Sequence, residues 1–214
     1  MILNPVDTIL SLVLLSVLFS FGASRLPGLI LIVGFQGIVA SIVPFFIGHG
    51  MSAGGIVFTL VTLAIRGIII PMSIYLVIKK VAIRREVEPI IGYHASIFCG
   101  LGLIVAATFI SRQLNIPSVS QYTLLFPTAI ALLVTGMFLL MARRNAIAMV
   151  LGYIMMENGI YLVGTTFSVR ARHIVEFGIL LDVLAGVMIM AIILQNIKKT
   201  FDDVDTALLR TLKE

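Results

Sequence analysis

Seven apolar runs, each near the ~20 residues that a bilayer core demands, alternate along the chain with short polar or basic stretches. They cover residues 5–22, 28–47, 56–77, 91–110, 122–141, 146–167 and 175–197. Runs of this length with almost no charge read as transmembrane helices. The pattern therefore predicts an all-α integral membrane protein with seven transmembrane helices. Residues 1–199 form a single membrane domain and residues 200–214 a tail. Pro5 suits the first turn of the first helix. That run lacks a basic flank and a small-residue cleavage site, so it reads as a retained span and not as a signal peptide.

Basic residues set the expected orientation. If the helices alternate in direction, one side holds Arg25, Lys79, Lys80, Arg84, Arg85, Arg143, Arg144, Lys198, Lys199, Arg210 and Lys213. The other holds Arg112, Arg170 and Arg172. The positive-inside rule then places the amino terminus outside and the carboxyl terminus in the cytoplasm. An odd number of spans keeps the bases segregated in this way. The tail has acids at Asp202, Asp203 and Asp205, then Leu208, Leu209 and Leu212 at helical spacing. It reads equally as a short interfacial or docking helix and as a solvated end.

Composition narrows the class further. The apolar fraction is 60% and the mean hydropathy +1.15, far above a soluble domain. The net charge of +5 is explained by topology, since the bases fall between the runs, and nucleic acid is not an expected partner. The one cysteine, Cys99, excludes an internal disulfide or a cysteine-ligated cluster. No phosphate loop, nucleophile elbow or zinc signature is present.

Three charged residues lie well inside apolar runs: Arg66, Glu157 and Asp182. An ionisable side chain at that depth costs about 2.5–3.5 kcal/mol on insertion scales, and such residues usually mark ion or proton pathways. At about 1.5 Å per residue, all three fall roughly 10–15 Å below the outer ends of their helices, in one layer. A base and two acids at one depth offset one another's desolvation and tune the acids for proton transfer. The plain alternatives are a neutral, hydrogen-bonded packing residue at Glu157 and a structural charge pair at Arg66.

The neighbours extend this layer. Tyr153 and Tyr161 stand four residues on either side of Glu157, so both rise on its face. Thr59, Thr62, Arg66 and Ser73 share a face in the third helix, and Lys80 continues that line toward the cytoplasm. Pro71 withholds a backbone donor from the Gly67 carbonyl, a break tolerated beside polar neighbours or water. Gln36 reads as an interhelical hydrogen bond, Met155 and Met156 as packing, His94 as an interfacial anchor, and His49 and His173 as loop residues.

Residues 144–164, RNAIAMVLGYIMMENGIYLVG, followed by 176–195, EFGILLDVLAGVMIMAIILQ, resemble the E component of hydrogenase-4 and of related formate hydrogenlyase or group 4 membrane hydrogenase complexes. The likeness extends over the whole chain. In that family the last three helices look like the K subunit of respiratory complex I, here residues 122–199, preceded by a four-helix part, residues 1–121. The resemblance implies a membrane-arm subunit of the cell inner (cytoplasmic) membrane, beside antiporter-like subunits and a quinone-site-like subunit. A hydrogenase module would lie on the cytoplasmic side. Its Ni–Fe centre and Fe–S clusters would belong to those partners, with no cofactor in this chain. Glu157 and Asp182 would take the role of the K-subunit acids on a lateral proton path. This sequence departs from the K subunit in having aspartate at the second position, and both acids are displaced by about one turn. Two other classes remain: a subunit of a multi-subunit cation/proton antiporter, and a structural spacer whose acids lock helices together.

Overall fold

The computed structural model describes residues 4–47, 53–80, 90–114 and 122–167, together with Gly186. Every element among them is a helix. Helix α1 covers Pro5–Gly22 and α2 covers Leu26–Ile47. A third span is built from α3 (Ala53–Ala64), a π-helical turn (Ile65–Ile69) and α4 (Ile70–Lys80). Helices α5 (Tyr93–Gln113), α6 (Leu125–Ala142) and α7 (Ala146–Phe167) complete the set. Six of the resulting spans are long and apolar enough to cross a membrane. Apart from Gly186, the seventh run, residues 175–197, and the tail lie outside the described residues, as do His49, His173 and Asp182.

Local signals account for the ends. Pro5 occupies the first turn of α1, and the Asn4 side chain accepts the Val6 N–H at 3.4 Å. This cap satisfies a donor that the helix itself cannot. Helix α5 continues past the expected end at Ile110 to Gln113, taking in Arg112. A cation in the last turn faces the negative end of the helix dipole, which favours the extension. The fifth run was expected from Tyr122, but the helix begins at Leu125. Tyr122 and Thr123 are spent instead on contacts with other helices.

Those contacts fix how the helices run. At one end, the Asp7 carboxylate accepts from Leu124 N–H at 3.1 Å and Thr123 Oγ1 at 3.2 Å. At the other, Arg143 Nη2 donates to the Phe21 carbonyl at 2.9 Å. Helices α1 and α6 are therefore parallel, each end of one tied to the matching end of the other. Tyr122 Oη donates to the Phe46 carbonyl at the end of α2, at 3.3 Å. The Ile90 N–H, just before α5, donates to the Ala142 carbonyl at 2.9 Å. Helices α2 and α5 thus run opposite to α6, in the alternating order of a multi-pass membrane protein. Arg143, expected as a loop charge, is buried at 2% exposure, and burial pushes its guanidinium below the usual range while nearby Tyr93 opposes the shift.

Helix α7 is the most enclosed span, 72% buried, and α5 the least, 17% buried, so α7 lies in the interior and α5 at the rim. Helices α6 and α7 meet backbone to backbone. A Cβ on Gly159 would stand 2.5 Å from Leu133 N and 2.8 Å from the Ala129 carbonyl oxygen. On Gly152 it would stand 2.8 Å from Leu140 N, and on Gly136 it would collide with the Gly152 carbonyl oxygen and Met156 N. Only glycine permits this approach, the usual route to close helix packing in lipid.

Candidate proton-handling site

The enclosed α7 carries Glu157 into the interior, where the carboxylate meets Arg66 from the third span. Arg66 Nη2 donates to Glu157 Oε1 at 2.6 Å, with both side chains 2% exposed. Nη1 of the same guanidinium donates to Asn158 Oδ1 at 3.3 Å. The ring of Tyr161 lies under its carbon at 4.5 Å from the centroid. One cation is thus held by an acid, an amide and an aromatic face, all from one turn and a half of α7. Each partner offsets part of the cost of a buried charge.

Arg66 reaches this position from an irregular turn. The Ile70 N–H bonds to the Ile65 carbonyl, a five-residue step in place of the four-residue step of an α-helix. Continuing that step by one residue, the donor due at the Arg66 carbonyl would be the nitrogen of Pro71, which carries no hydrogen. The break expected at the Gly67 carbonyl is therefore spread over a π turn, a device that helices commonly use at functional positions. Helix α2 makes room for it. A Cβ on Gly37 would stand 3.0 Å from the Arg66 carbonyl oxygen, and one on Gly34 would stand 3.2 Å from Pro71 Cγ.

The remaining predicted residues divide. Arg66, Glu157 and Tyr161 are brought together. Tyr153 is buried one turn from Glu157 on α7. Lys80 is the last residue of α4, about 21 Å from Arg66 at 1.5 Å per residue, and so belongs to the far end of the span. Two hydroxyls of the third span bond back to their own helix: Thr62 Oγ1 to the Thr59 carbonyl at 3.1 Å and Ser73 Oγ to the Ile70 carbonyl at 2.7 Å. Gln36 makes the expected interhelical bond, donating to Ser16 Oγ at 3.0 Å, and Met155 is fully buried packing. His94 is exposed at the start of α5. Among the described residues, no group of three or more His, Cys, Asp or Glu side chains comes together.

Asn158 was not singled out from the sequence, although its neighbour was. An uncharged amide carries no charge to mark it out as Glu157 is marked. The third span, which supplies the base, offered no hint of which α7 residue besides Glu157 would meet it.

Comparison with known proteins places these observations. Residues 124–214 match the family described as NADH-ubiquinone/plastoquinone oxidoreductase chain 4L, the K subunit of complex I. The chain is 26% identical over 211 residues to an uncharacterized protein of Mycobacterium tuberculosis, covering 95% of this chain and 93% of that one. It is also 26% identical over 111 residues to hydrogenase-4 component E of Escherichia coli. That match covers 52% of this chain and 51% of the relative, narrower than the whole-chain likeness expected. No solved structure matches. The resemblance carried by the acidic block of α7 therefore stands: from residue 124 onward the chain is similar to the complex I chain 4L family, and over about half its length to hydrogenase-4 component E.

Proposed function

We propose that this chain is a membrane-arm subunit, with no active site of its own, of a complex I-like membrane-bound hydrogenase of the formate hydrogenlyase type. Its Glu157 takes up and releases protons on a lateral path through the membrane, with Arg66 as the fixed counter-charge and Asp182 as the second acid. The observation that carries this reading is the Arg66–Glu157 pair, buried in the middle of two spans and joined at 2.6 Å. A permanent cation beside a buried acid offsets the cost of burying its charge. In this reading the chain has seven spans in the inner (cytoplasmic) membrane, amino terminus outside and carboxyl terminus in the cytoplasm. Its neighbours are antiporter-like subunits and a quinone-site-like subunit. The Ni–Fe centre and Fe–S clusters reside in partner subunits on the cytoplasmic side.

The test must separate proton transfer from helix locking. Glu157→Gln keeps a hydrogen-bonding side chain but cannot ionise, and it takes from buried Arg66 the acid it is joined to, a defect of about 3–5 kcal/mol. R66Q/E157Q removes both charges and so restores the balance. If Glu157 moves protons, the assembled complex carrying R66Q/E157Q turns over without acidifying one side of the vesicles. Normal acidification in the double variant would leave the pair as a structural lock. A native complex purified without a Ni–Fe module would instead point to the antiporter class.

A further inference from the structure

Helices α1, α2, α7 and α6 pack in a closed ring, each against the next. Gln36 on α2 and Asn158 on α7 are 0% and 1% exposed. Both amides lie at the level of Arg66: Gln36 precedes Gly37, which packs against the Arg66 backbone, and Asn158 accepts from the Arg66 guanidinium. Hydrogen-bond chemistry fixes which way each amide is turned. A guanidinium only donates, so Asn158 presents its oxygen to Arg66 and its NH2 group elsewhere. The Ser16 hydroxyl spends its one proton on the Val13 carbonyl at 2.7 Å, so toward Gln36 it only accepts. Gln36 therefore gives Ser16 its NH2 group, at 3.0 Å, and turns its oxygen away.

Gln36 Oε1 and Asn158 Nδ2 are both buried, and neither has a hydrogen-bond partner among the described residues. One is an acceptor and the other a donor, on adjoining helices and in one layer. A buried polar group left unpaired is costly, and here two complementary ones stand together. From this we infer that α2 and α7 hold an internal water between Gln36 and Asn158. It accepts from Asn158 Nδ2 and donates to Gln36 Oε1, the service that buried waters commonly perform. The NH2 group, with the guanidinium behind it, disfavours a metal cation, and the amide oxygen disfavours an anion. A small neutral molecule that both donates and accepts suits the two. The water joins Ser16, Gln36, Asn158, Arg66 and Glu157 into one hydrogen-bonded chain from α1 to α7. Such a site stands whether Glu157 moves protons or locks helices.

Solid-state NMR of the full-length protein in lipid bilayers, with isotope-labelled asparagine side chains, tests this. Asn158 is assigned through the only Glu–Asn step in the sequence. Magnetisation from water protons should reach its NH2 group, and the absence of transfer there overturns the inference. Gln36→Leu conserves volume and replaces the water's acceptor by an apolar wall, so in Q36L the transfer to Asn158 should be lost. Transfer that keeps its strength in Q36L, or grows because loosened packing admits solvent, also overturns it. Where Q36L fails to accumulate as folded protein, Gln36→Met decides with the same expectation, since the flexible thioether fills the space and accepts only weakly. The proton-handling reading is judged apart from this, by translocation in R66Q/E157Q.

Discussion

Replacing Arg66 with methionine and Glu157 with glutamine breaks one contact from its two sides, and the two losses should behave differently with pH. With charge centres about 4 Å apart and an effective dielectric near 20, the attraction is about 4 kcal/mol, matching the roughly 3–5 kcal/mol cost of stripping one partner from a buried pair. Both side chains are 2% exposed, so solvent does little to reduce that figure. In E157Q the guanidinium loses its acid, and it cannot respond by losing its own proton. Its penalty stays near the full value at any pH. In R66M the carboxyl loses its cation and can respond by binding a proton. With an ordinary carboxyl range near 4.3, holding that proton in the folded state costs about 4 kcal/mol at pH 7 and about 1 kcal/mol at pH 5. R66M should therefore gain stability as the pH falls, whereas E157Q should not.

The chain has no tryptophan, so unfolding of the purified protein in detergent is best followed by circular dichroism during titration with a denaturing surfactant. The R66M/E157Q double variant should recover most of what either single change loses. Losses that simply add in the double variant, or an R66M penalty that is the same at pH 5 and pH 7, would refute the claim that the pair is buried and mutually compensating.

The same titration tests the ends and the packing. Asp7→Ala removes the acceptor for Leu124 N–H and Thr123 and should cost about 0.5–2 kcal/mol, with D7N costing less because its amide oxygen still accepts. Gly159→Val should prevent stable association of α6 with α7, seen as loss of folded material, because its side chain would meet the backbone of Leu133 and Ala129. Gly28→Ala, where a Cβ meets nothing within 4 Å, serves as the neutral control and should change stability by less than about 0.5 kcal/mol.

How much of this was readable from the chain differs by level. Six spans follow directly from run length, because a bilayer fixes how many apolar residues a helix needs. The common depth of Arg66 and Glu157 also follows, since rise per residue converts position into height. Which face of each helix turns inward does not follow. In lipid, outward residues are as apolar as inward ones: Leu31 is 75% exposed and Leu29 fully buried, two residues apart in one run. The ties made by Asp7 and Arg143 were hidden for a related reason. At the end of a span an ionised group reads as a surface charge, whereas here each is folded inward to serve the backbone of a neighbouring helix. The π turn escaped detection because proline announces a break in the ladder but not how the chain redistributes it.

The glycine contacts between α6 and α7 have a mechanical consequence. Two helices touching through their main chains at three heights cannot roll or slide past each other without collision, because no side chain lies between them to act as a bearing. The acid on α7 is therefore mounted on a stationary post. In the proposed function, charge passing Glu157 would travel as protons and small swings of side chains, with α6 and α7 standing still.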